Sequence, residues 1–206
     1  MRITLKDGTV KVYERPLTLE ELAGDLSERL RQHAAAGLVD GTLTDLREEL
    51  TADCSVEILT FQDERGRDVF RHTTAHILAQ AVKRLYPETK LAIGPAIADG
   101  FYYDFDREVP FSQEELMLLE KEMQRIVKEG YKITRFTLTR EEALQLAASR
   151  GEDYKKELIE ELPEDEPIRF YQQGEYIDLC AGPHLLSVAP VKAFHLTKVA
   201  GAYWKG

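Results

Sequence analysis

The sequence has little cysteine, a deficit of positive charge and no long apolar run. Its 206 residues include two cysteines, which excludes a disulfide framework and favours a reducing, cytoplasmic location. No apolar run approaches the ~20 residues of a membrane-spanning helix, so we expect no membrane partner. Residues 1–5 are typical of a strand and not of a signal peptide.

The charge balance argues against a generic nucleic-acid-coating protein. The chain has 27 basic and 37 acidic residues, a formal net charge of −10. The deficit is concentrated at the start, since residues 1–64 hold 7 basic and 14 acidic side chains, whereas residues 65–206 hold 20 and 23. A polyanionic partner would therefore meet the second part of the chain, through a local basic patch.

The first part of the chain predicts a small ubiquitin-like β-grasp domain. A hairpin turns at the dipeptide Asp7-Gly8. Thr18 and Glu21 form a capping box, and the helix that follows should end near Gly37. The hairpin strands and a returning strand are predicted at 2–5, 9–13 and 55–59.

The second part predicts a larger domain with an antiparallel sheet and packed helices. Capping boxes at Ser112 and Thr139 begin two helices, which should end at Gly130 and Gly151. A further helix is predicted at 69–85. Strands are predicted at 101–105, 132–138, 168–171, 176–179 and 192–199.

The predicted fold class is therefore α+β, with two domains. A charged stretch at 62–68 separates the two patterns. We accordingly place the β-grasp domain at 1–62 and the larger α+β domain at 63–206.

Four side chains in two pairs suggest one assembled site. His72 and His76 lie one turn apart on the same face of a predicted helix. Cys180 and His184 have the same spacing, and a Gly-Pro turn between them can aim a thiol and an imidazole at one point. Such a set can bind zinc tetrahedrally, or it can move protons without a metal, and both interpretations stay open.

The histidine helix carries its apolar stripe on another face. The stripe consists of Ile77, Leu78, Ala81, Val82 and Leu85. At about 100° per residue, it lies nearly opposite His72, His76 and Gln80. We therefore expect the histidines on a polar face, where a functional role and simple solvation both fit the pattern.

Longer motifs resemble one family. They are H-T-T-A-H-I-L-A-Q-A at 72–81, I-G-P-x-I-x-x-G-F-Y-Y-D at 93–104, the Tyr154-Lys155 pair and Y-I-D-L-C-A-G-P-H at 176–184. Together they strongly resemble the N-terminal half of bacterial threonyl-tRNA synthetases. That half comprises a TGS module, which is the β-grasp domain, and an editing domain shared with alanyl-tRNA synthetases. The resemblance covers essentially the whole chain.

The resemblance implies a proofreading hydrolase that removes serine wrongly esterified to the threonine tRNA. A binding pocket rejects a substrate lacking one methylene by only about 1–3 kcal/mol, so a second, hydrolytic sieve is needed. The resemblance implies catalytic roles for His72 and Lys155, with the adjacent Lys156 as the alternative lysine. It implies a substrate-binding set of His76, Tyr103, Asp178, Cys180 and His184.

The same resemblance sets expectations for cofactors and partners. It favours a metal-free site, and the ligands of any bound zinc would be His72, His76, Cys180 and His184. The expected partner is the acceptor end of tRNA(Thr) carrying serine. The final Gly-Ala-Tyr-Trp-Lys-Gly at 201–206 resembles the segment leading into the aminoacylation domain. ATP binding, amino-acid activation and a homodimer interface are therefore expected only in a C-terminal part outside this chain.

Two other functions fit part of the pattern. A zinc-dependent deacylase of the alanyl editing type would use the four His/Cys side chains as ligands, but the TGS-like start disfavours it. A non-catalytic RNA-binding or regulatory module would explain the TGS module and leave the His/Cys set idle. Metal analysis tests the first alternative, and deacylation of Ser-tRNA tests the second.

Overall fold

The computed structural model describes residues 1–201 and combines helices with mostly antiparallel sheets, which confirms the α+β prediction. The chain divides into two compact units. The first unit comprises Met1–Arg71 and Gly182–Leu186, and the second comprises His72–Ala181 and the residues from Ser187 onward. Within residues 1–201, none of the helices is long and apolar enough to cross a membrane.

The first unit is built on a five-stranded sheet in the order β2-β1-β7-β4-β5. Strands β1 and β7 pair in parallel and the other neighbours pair antiparallel, which is a β-grasp-like arrangement. The apolar core includes the fully buried Ile3, Leu19 and Leu22. The elements are β1 (Arg2–Leu5), β2 (Val10–Val12), β3 (Leu17–Thr18), α1 (Leu19–Leu26), α2 (Glu28–His33), β4 (Ala34–Val39), β5 (Thr42–Thr44), β6 (Glu49–Leu50) and β7 (Cys54–Thr60).

The prediction of one helix ending near Gly37 is wrong. Ser27 is extended, ends α1 and caps α2, and α2 stops at His33. The following residues form β4, which is buried at its start and pairs with β7. Three alanines in succession favour a helix locally, but strand pairing and burial outweigh that propensity.

The second unit contains a three-stranded antiparallel sheet, β12-β13-β14, and four helices, one of which begins in the first unit. Two short ladders, β9 with β10 and β8 with β11, complete its strands. The elements are α3 (Glu64–Leu85), β8 (Lys90–Leu91), β9 (Ala96–Ile97), β10 (Gly100–Phe101), β11 (Phe105–Asp106), α4 (Gln113–Glu129), β12 (Ile133–Leu138), α5 (Arg140–Ser149), α6 (Asp153–Glu161), β13 (Ile168–Gln173) and β14 (Tyr176–Leu179).

The predicted caps of the helices are confirmed. Thr18, Ser112 and Thr139 each form a reciprocal capping box with the glutamate three residues later. Gly130 ends α4 in the left-handed conformation at φ +66°, where a residue with a Cβ is disfavoured. Helix-capping signals involve residues close together in the sequence, so they can be recognised without knowing the tertiary structure.

Two predicted strands are wrong. The predicted aromatic strand at 101–105 is divided into β10 and β11. Between these strands, Asp104 exchanges backbone hydrogen bonds with Ala92 and Ile93. Residues 192–199 form no strand. There the backbone N–H of Leu196 donates to the side chain of Glu120 instead of to a strand.

The histidine helix α3 begins at Glu64, so most of the charged stretch at 62–68 is helical. The polar face of α3 is present as predicted, but it is covered and not solvated. Residues 73–82 are all buried, including His76 and Gln80, whereas Leu85 of the predicted apolar stripe is exposed. The face opposite the apolar stripe is covered by polar side chains of the β13–β14 hairpin.

The prediction made for the final segment 201–206 lies, apart from Gly201, outside the described residues.

Candidate functional site

Helix α3 presents two imidazoles to one side. The rings of His72 and His76 meet edge to face, with centroids 5.2 Å apart and an angle of 84°. His76 is buried, and His72 is half-buried. The four-residue spacing puts both rings on one face, as predicted. The two rings differ in their access to solvent.

Strand β14 and the residue after it present three further groups. Tyr176, Asp178 and Cys180 alternate along the chain and therefore face the same side. The backbone N–H of Cys180 donates to Arg169 at 3.0 Å, which continues the sheet one residue past β14. The Cys180 thiol is half-buried, and its Sγ lies 3.4 Å from Nε2 of His72.

A buried ion pair lies at the centre of the cluster. Nζ of Lys155, on α6, lies 2.6 Å from Oδ1 of Asp178, and both side chains are 3% exposed. The hydroxyls of Tyr103 and Tyr176 each donate to Oδ2 of Asp178 at 2.8 Å. Lys155 also donates to the Tyr103 hydroxyl at 3.3 Å. The neighbouring Lys156 is half-buried and turned about 100° away on the helix.

The charges of this cluster follow from burial and pairing. Burial opposes ionisation of Asp178, but the Lys155 ammonium holds the pKa of the carboxyl below its usual range. Burial likewise opposes the charge on Lys155, yet Asp178 raises the pKa of the ammonium above its usual value. Burial raises the pKa values of Tyr103 and Tyr176, so both hydroxyls stay protonated. At neutral pH the cluster therefore consists of the Lys155 ammonium, the Asp178 carboxylate and the two neutral tyrosine hydroxyls that donate to this carboxylate.

His76 completes the cluster as a neutral ring. Its Nε2 lies 3.5 Å from Oδ2 of Asp178, a distance that would suggest an ion pair if the imidazole were charged. Burial lowers the pKa of His76 to about 3 in spite of the carboxylate, so the ring is uncharged at pH 7. The contact is therefore a polar contact between a neutral ring and a carboxylate.

The structure thus brings together six of the predicted site residues in the second unit. They are His72, His76, Tyr103, Lys155, Asp178 and Cys180. The seventh, His184, groups with the first unit and is fully buried there.

The segment carrying His184 is held by its backbone. The N–H of His184 donates to Oδ2 of Asp45 at 3.2 Å. Arg47 donates to the carbonyl of His184 at 3.1 Å and to that of Leu185 at 2.7 Å. Arg47 also pairs with Asp45 at 2.9 Å, so one charged pair of the β-grasp unit fixes three backbone groups of this segment.

Sequence reasoning missed Tyr176. Its hydroxyl shares an oxygen of Asp178 with Tyr103, and its ring meets that of His76 at 5.9 Å. The signal was available, because Tyr176 stands two residues before Asp178 in a predicted strand and must share its face.

Within the second unit, three of the predicted metal ligands lie close enough together to hold an ion. The ligand atoms of His72, His76 and Cys180 lie within 4.8 Å of one another. Tetrahedral zinc with bonds of about 2.0–2.3 Å requires ligand atoms roughly 3.5 Å apart, and the 3.4 Å between His72 and Cys180 meets this. A His/Cys cluster able to bind a metal is therefore present, and zinc is a possible occupant.

A cavity of about 650 Å³ lies elsewhere in the second unit. Its walls include Phe101, Phe111 and Tyr154, and of the predicted site residues only Tyr103 is among the described residues that line it. The concentration of buried titratable groups, and not this cavity, marks the candidate site.

Comparison with known proteins gives the family context. Residues 1–60 match the TGS domain, and residues 168–203 match the threonyl and alanyl tRNA synthetase second additional domain. The chain is 58% identical over its 206 residues to threonine--tRNA ligase of Acetivibrio thermocellus, and 53% identical to those of Caldanaerobacter subterraneus subsp. tengcongensis and Clostridium novyi. The chain is homologous to bacterial threonine--tRNA ligases. It covers 32% of the length of each of these three relatives, in their N-terminal regions.

The match confirms the resemblance to threonyl-tRNA synthetases. The second-additional-domain match contains β13 and β14, and hence Tyr176, Asp178 and Cys180. The model matched by residues 168–203 is named for threonyl and alanyl tRNA synthetases. Because the chain spans about a third of the relatives, the activity of the whole ligase is carried over only as a proposal.

Proposed function

We propose that this chain is a proofreading module that hydrolyses serine wrongly esterified to tRNA(Thr). One observation carries the proposal. The half-buried pair of His72 and Cys180 is joined through His76 to the buried pair of Lys155 and Asp178, in a chain homologous to threonine--tRNA ligases. An accessible imidazole beside a buried fixed charge supplies the groups that ester hydrolysis needs.

His72 is our candidate for the group that activates water. It is the more accessible of the two imidazoles, and an imidazole can accept and return a proton. His76 is unsuited to this role, since its lowered pKa makes it a weak base and its Nε2 faces Asp178. We assign His76 the task of supporting the ring of His72 from one turn further along α3.

Lys155 acts through its positive charge. A catalytic lysine can act as a base if its pKa is lowered, or it can stabilise developing negative charge as an ammonium. The raised pKa of Lys155 keeps it an ammonium, which supports the second role. An ammonium has three N–H donors, of which Asp178 and Tyr103 receive two, and we propose that the third serves the oxyanion of the ester.

Asp178 and Tyr103 then serve to fix Lys155. Asp178 belongs to the substrate-binding set that the resemblance implies, where a carboxylate would pair with the ammonium of the substrate. Its two oxygens already accept from Lys155, Tyr103 and Tyr176. This arrangement supports a positioning role instead. Cys180 and His184 remain candidates for binding serine or the terminal ribose, His184 on the strength of the C-A-G-P-H motif alone.

Single-turnover deacylation of Ser-tRNA(Thr) tests these roles. Removing a proton-transfer group costs about 10²–10⁴-fold in rate, so His72→Ala should lose activity in that range. Lys155→Ala should fall by a similar factor, with tRNA binding little changed. Lys156→Ala is the matched control and should stay near the parent rate. An inactive Lys156→Ala with an active Lys155→Ala would show that the functional lysine is misassigned.

A zinc-dependent deacylase of the alanyl type is the second candidate, because the 3.4 Å between His72 and Cys180 suits a zinc site. His72, His76 and Cys180 would hold the zinc, which would supply an activated water when bound. We favour the metal-free reaction, since the Nε2 of His76 already faces Asp178. Full deacylation after exhaustive chelation, with no metal found by elemental analysis, is the expected result. One tightly bound zinc, lost together with activity, would reverse this preference.

Further proposals concern the protein as a whole. We propose a cytoplasmic location, ATP-dependent activation of threonine in a part of the protein outside this chain, and a homodimer formed through that part. A non-catalytic RNA-binding or regulatory role is the remaining alternative. It predicts tRNA binding without any deacylation, and the assay above distinguishes it directly.

A further inference from the structure

Helix α3 carries a row of four polar side chains spaced four residues apart. They are His72, His76, Gln80 and Arg84. Such spacing keeps all four on one side of the helix, with successive members about 6 Å apart along its axis. The proposed function uses His72 and His76, and leaves Gln80 without a role.

Residues in or next to the β13–β14 hairpin contact each member of this row. Arg84 donates to Glu175 at 2.6 Å, and Gln80 donates to the same carboxylate at 3.1 Å. Next along the helix row, His76 faces Asp178 at 3.5 Å and His72 faces Cys180 at 3.4 Å. Cys180 directly follows β14. Alternate residues of a strand are about 6.8 Å apart, close to the 6 Å spacing of the helix row. The step from His76 to His72 therefore matches the step from Asp178 to Cys180, whereas Gln80 and Arg84 both contact Glu175 in the turn before β14.

Gln80 is the most constrained member of this row. Its side chain is 1% exposed, and both ends of its amide are used. The Oε1 accepts from Nε2 of Gln173 at 2.9 Å, and the Nε2 donates to Glu175. Gln173 is 2% exposed. A buried amide that donates and accepts in fixed directions tolerates little sliding, because any shift leaves a buried polar atom unpaired.

Arg84 is less specific, although it forms more ion pairs. Its guanidinium reaches Glu122, Glu129 and Glu175 and remains 21% exposed. Three carboxylates surround this half-buried guanidinium, so no single partner fixes its position. Arg84 therefore holds α3 in place, and Gln80 fixes the register of α3 against the β13–β14 hairpin.

We propose that Gln80 is a positioning residue for the candidate site. Its amide, held between Gln173 and Glu175, sets the register of α3 against β14 and thereby the contacts of His76 with Asp178 and of His72 with Cys180. The functional consequence rests on the proposed hydrolysis, since those contacts belong to the groups assigned to it. The register itself does not depend on the reaction.

Two measurements separate the geometry from the reaction. The first is the alkylation rate of Cys180 relative to Cys54, followed by peptide mass spectrometry. Neither cysteine is in a disulfide, and Cys54, in β7 of the first unit, serves as an internal reference. The second is single-turnover deacylation of Ser-tRNA(Thr), which yields the maximal rate constant and the half-saturating protein concentration separately.

The variants exchange or remove the amide contacts. Gln80→Leu keeps the approximate volume and removes both hydrogen bonds. Gln80→Glu places two carboxylates face to face, and the double variant Gln80→Glu/Glu175→Gln restores a donor opposite each acceptor. Glu175→Gln alone is the control for the second change. Gln172→Leu is the matched control for loss of an amide on the same hairpin, since Gln172 bonds Gly174 and not α3.

Gln80→Leu and Gln80→Glu should lower the maximal rate constant by about 10–100-fold, because catalytic groups misplaced by 1 Å lose rates of that order. The half-saturating concentration should change less than about twofold, since Gln80 is buried and its replacement leaves the exposed surface unchanged. The relative alkylation of Cys180 should fall by about threefold or more as its thiol loses the neighbouring imidazole. The double variant should recover both quantities to within about twofold of the Glu175→Gln control.

The outcomes are distinct. Unchanged alkylation and rate in folded Gln80→Leu would overturn the proposal, as would a double variant no better than Gln80→Glu. If the parent chain deacylates nothing while alkylation responds as expected, the proposed function fails and the positioning role stands. If Gln80→Leu does not fold, the comparison of Gln80→Glu with the double variant decides the question.

Discussion

The carboxylate of Asp178 joins side chains from four separate parts of the chain. Lys155 comes from α6, Tyr103 from the segment between β10 and β11, Tyr176 from β14 and His76 from α3. A carboxylate and an ammonium that are both buried are costly to separate from water, and each depends on the other for compensation. At the residue scale, this mutual dependence is what fixes the charge of Lys155.

Asp178→Asn should therefore strongly destabilise the protein. The change leaves the Lys155 ammonium buried without its counter-ion, which costs about 3–5 kcal/mol of unfolding free energy. The double variant Asp178→Asn/Lys155→Met should lose clearly less than the sum of the single variants. Urea unfolding measures all three.

Asp153→Asn is the matched control for this experiment, because Asp153 lies on the same helix and pairs with Lys90 in an exposed position. It should cost no more than about 1 kcal/mol. Additive losses in the double variant would show that the buried pair is not coupled.

His76 should make the protein acid-sensitive below neutrality. Its folded pKa of about 3 lies below the ~6.5 of an unfolded histidine, so the unfolded chain binds a proton that the folded chain does not. The stability is fully present above pH ~6.5 and declines as the pH falls towards the folded value, by up to about 1.4 kcal/mol per pH unit.

Urea midpoints between pH 7 and pH 5 test this prediction, in a window above the titration of ordinary carboxylates. His76→Gln should flatten the decline. His195→Gln should leave it unchanged, because the side chain of His195 is 74% exposed. A slope equally steep in His76→Gln would assign the acid sensitivity to another group.

The sequence carried only part of this site. The pairs His72/His76 and Cys180/His184 follow from spacing, but the choice between Lys155 and Lys156 does not. Both lysines lie on α6, and only packing decides which one turns inward. A weak signal existed, since Lys155 is four residues before the buried Ile159 and shares its face.

At the scale of elements, local signals were read correctly and long-range ones were not. The capping boxes of α1, α4 and α5 are present as predicted. The strand β4 was missed, because its alanines favour a helix until a neighbouring strand offers pairing. The buried polar face of α3 was missed for the same kind of reason, because hairpin partners for His76 and Gln80 come from about 100 residues away along the chain.

The turn between β13 and β14 offers a test at this scale, since it sets the path of the strand carrying Asp178. Gly174 has φ +56°, and a Cβ there would lie 2.9 Å from the Tyr131 ring. Gly151 has φ +66°, with nothing within 4 Å of an added Cβ. Both alanine substitutions should cost about 1 kcal/mol for the left-handed backbone, and Gly174→Ala a further 1–3 kcal/mol for the clash.

The two variants should therefore separate clearly in urea unfolding, with Gly151→Ala as the control for backbone strain alone. Equal losses would mean that the Tyr131 ring moves aside without cost. Gly174→Ala should also slow deacylation in the cold, under conditions where the variant is fully folded, because the turn determines where β14 places Asp178.

At the scale of the whole molecule, the chain combines a β-grasp unit without a catalytic constellation and a second unit that holds six of the seven predicted site residues. The family assignment was available from the sequence, because the motifs around His72, Tyr103 and Cys180 act together as a signature. The charge states of Lys155, Asp178 and His76 could not be predicted from the sequence, because they depend on burial that no linear motif encodes.

The central claim is that the second unit acts as a hydrolytic sieve for serine. Its most direct test compares Ser-tRNA(Thr) with Thr-tRNA(Thr) in single-turnover hydrolysis by the purified chain at saturating concentration. A site closely fitted to serine should reject the additional methyl of threonine by about 1–3 kcal/mol, so serine should be released roughly 10-fold faster or more. The parent chain should show this selectivity and His72→Ala should lose the activity. Equal hydrolysis of both esters, or a parent rate no faster than spontaneous hydrolysis, would contradict the account.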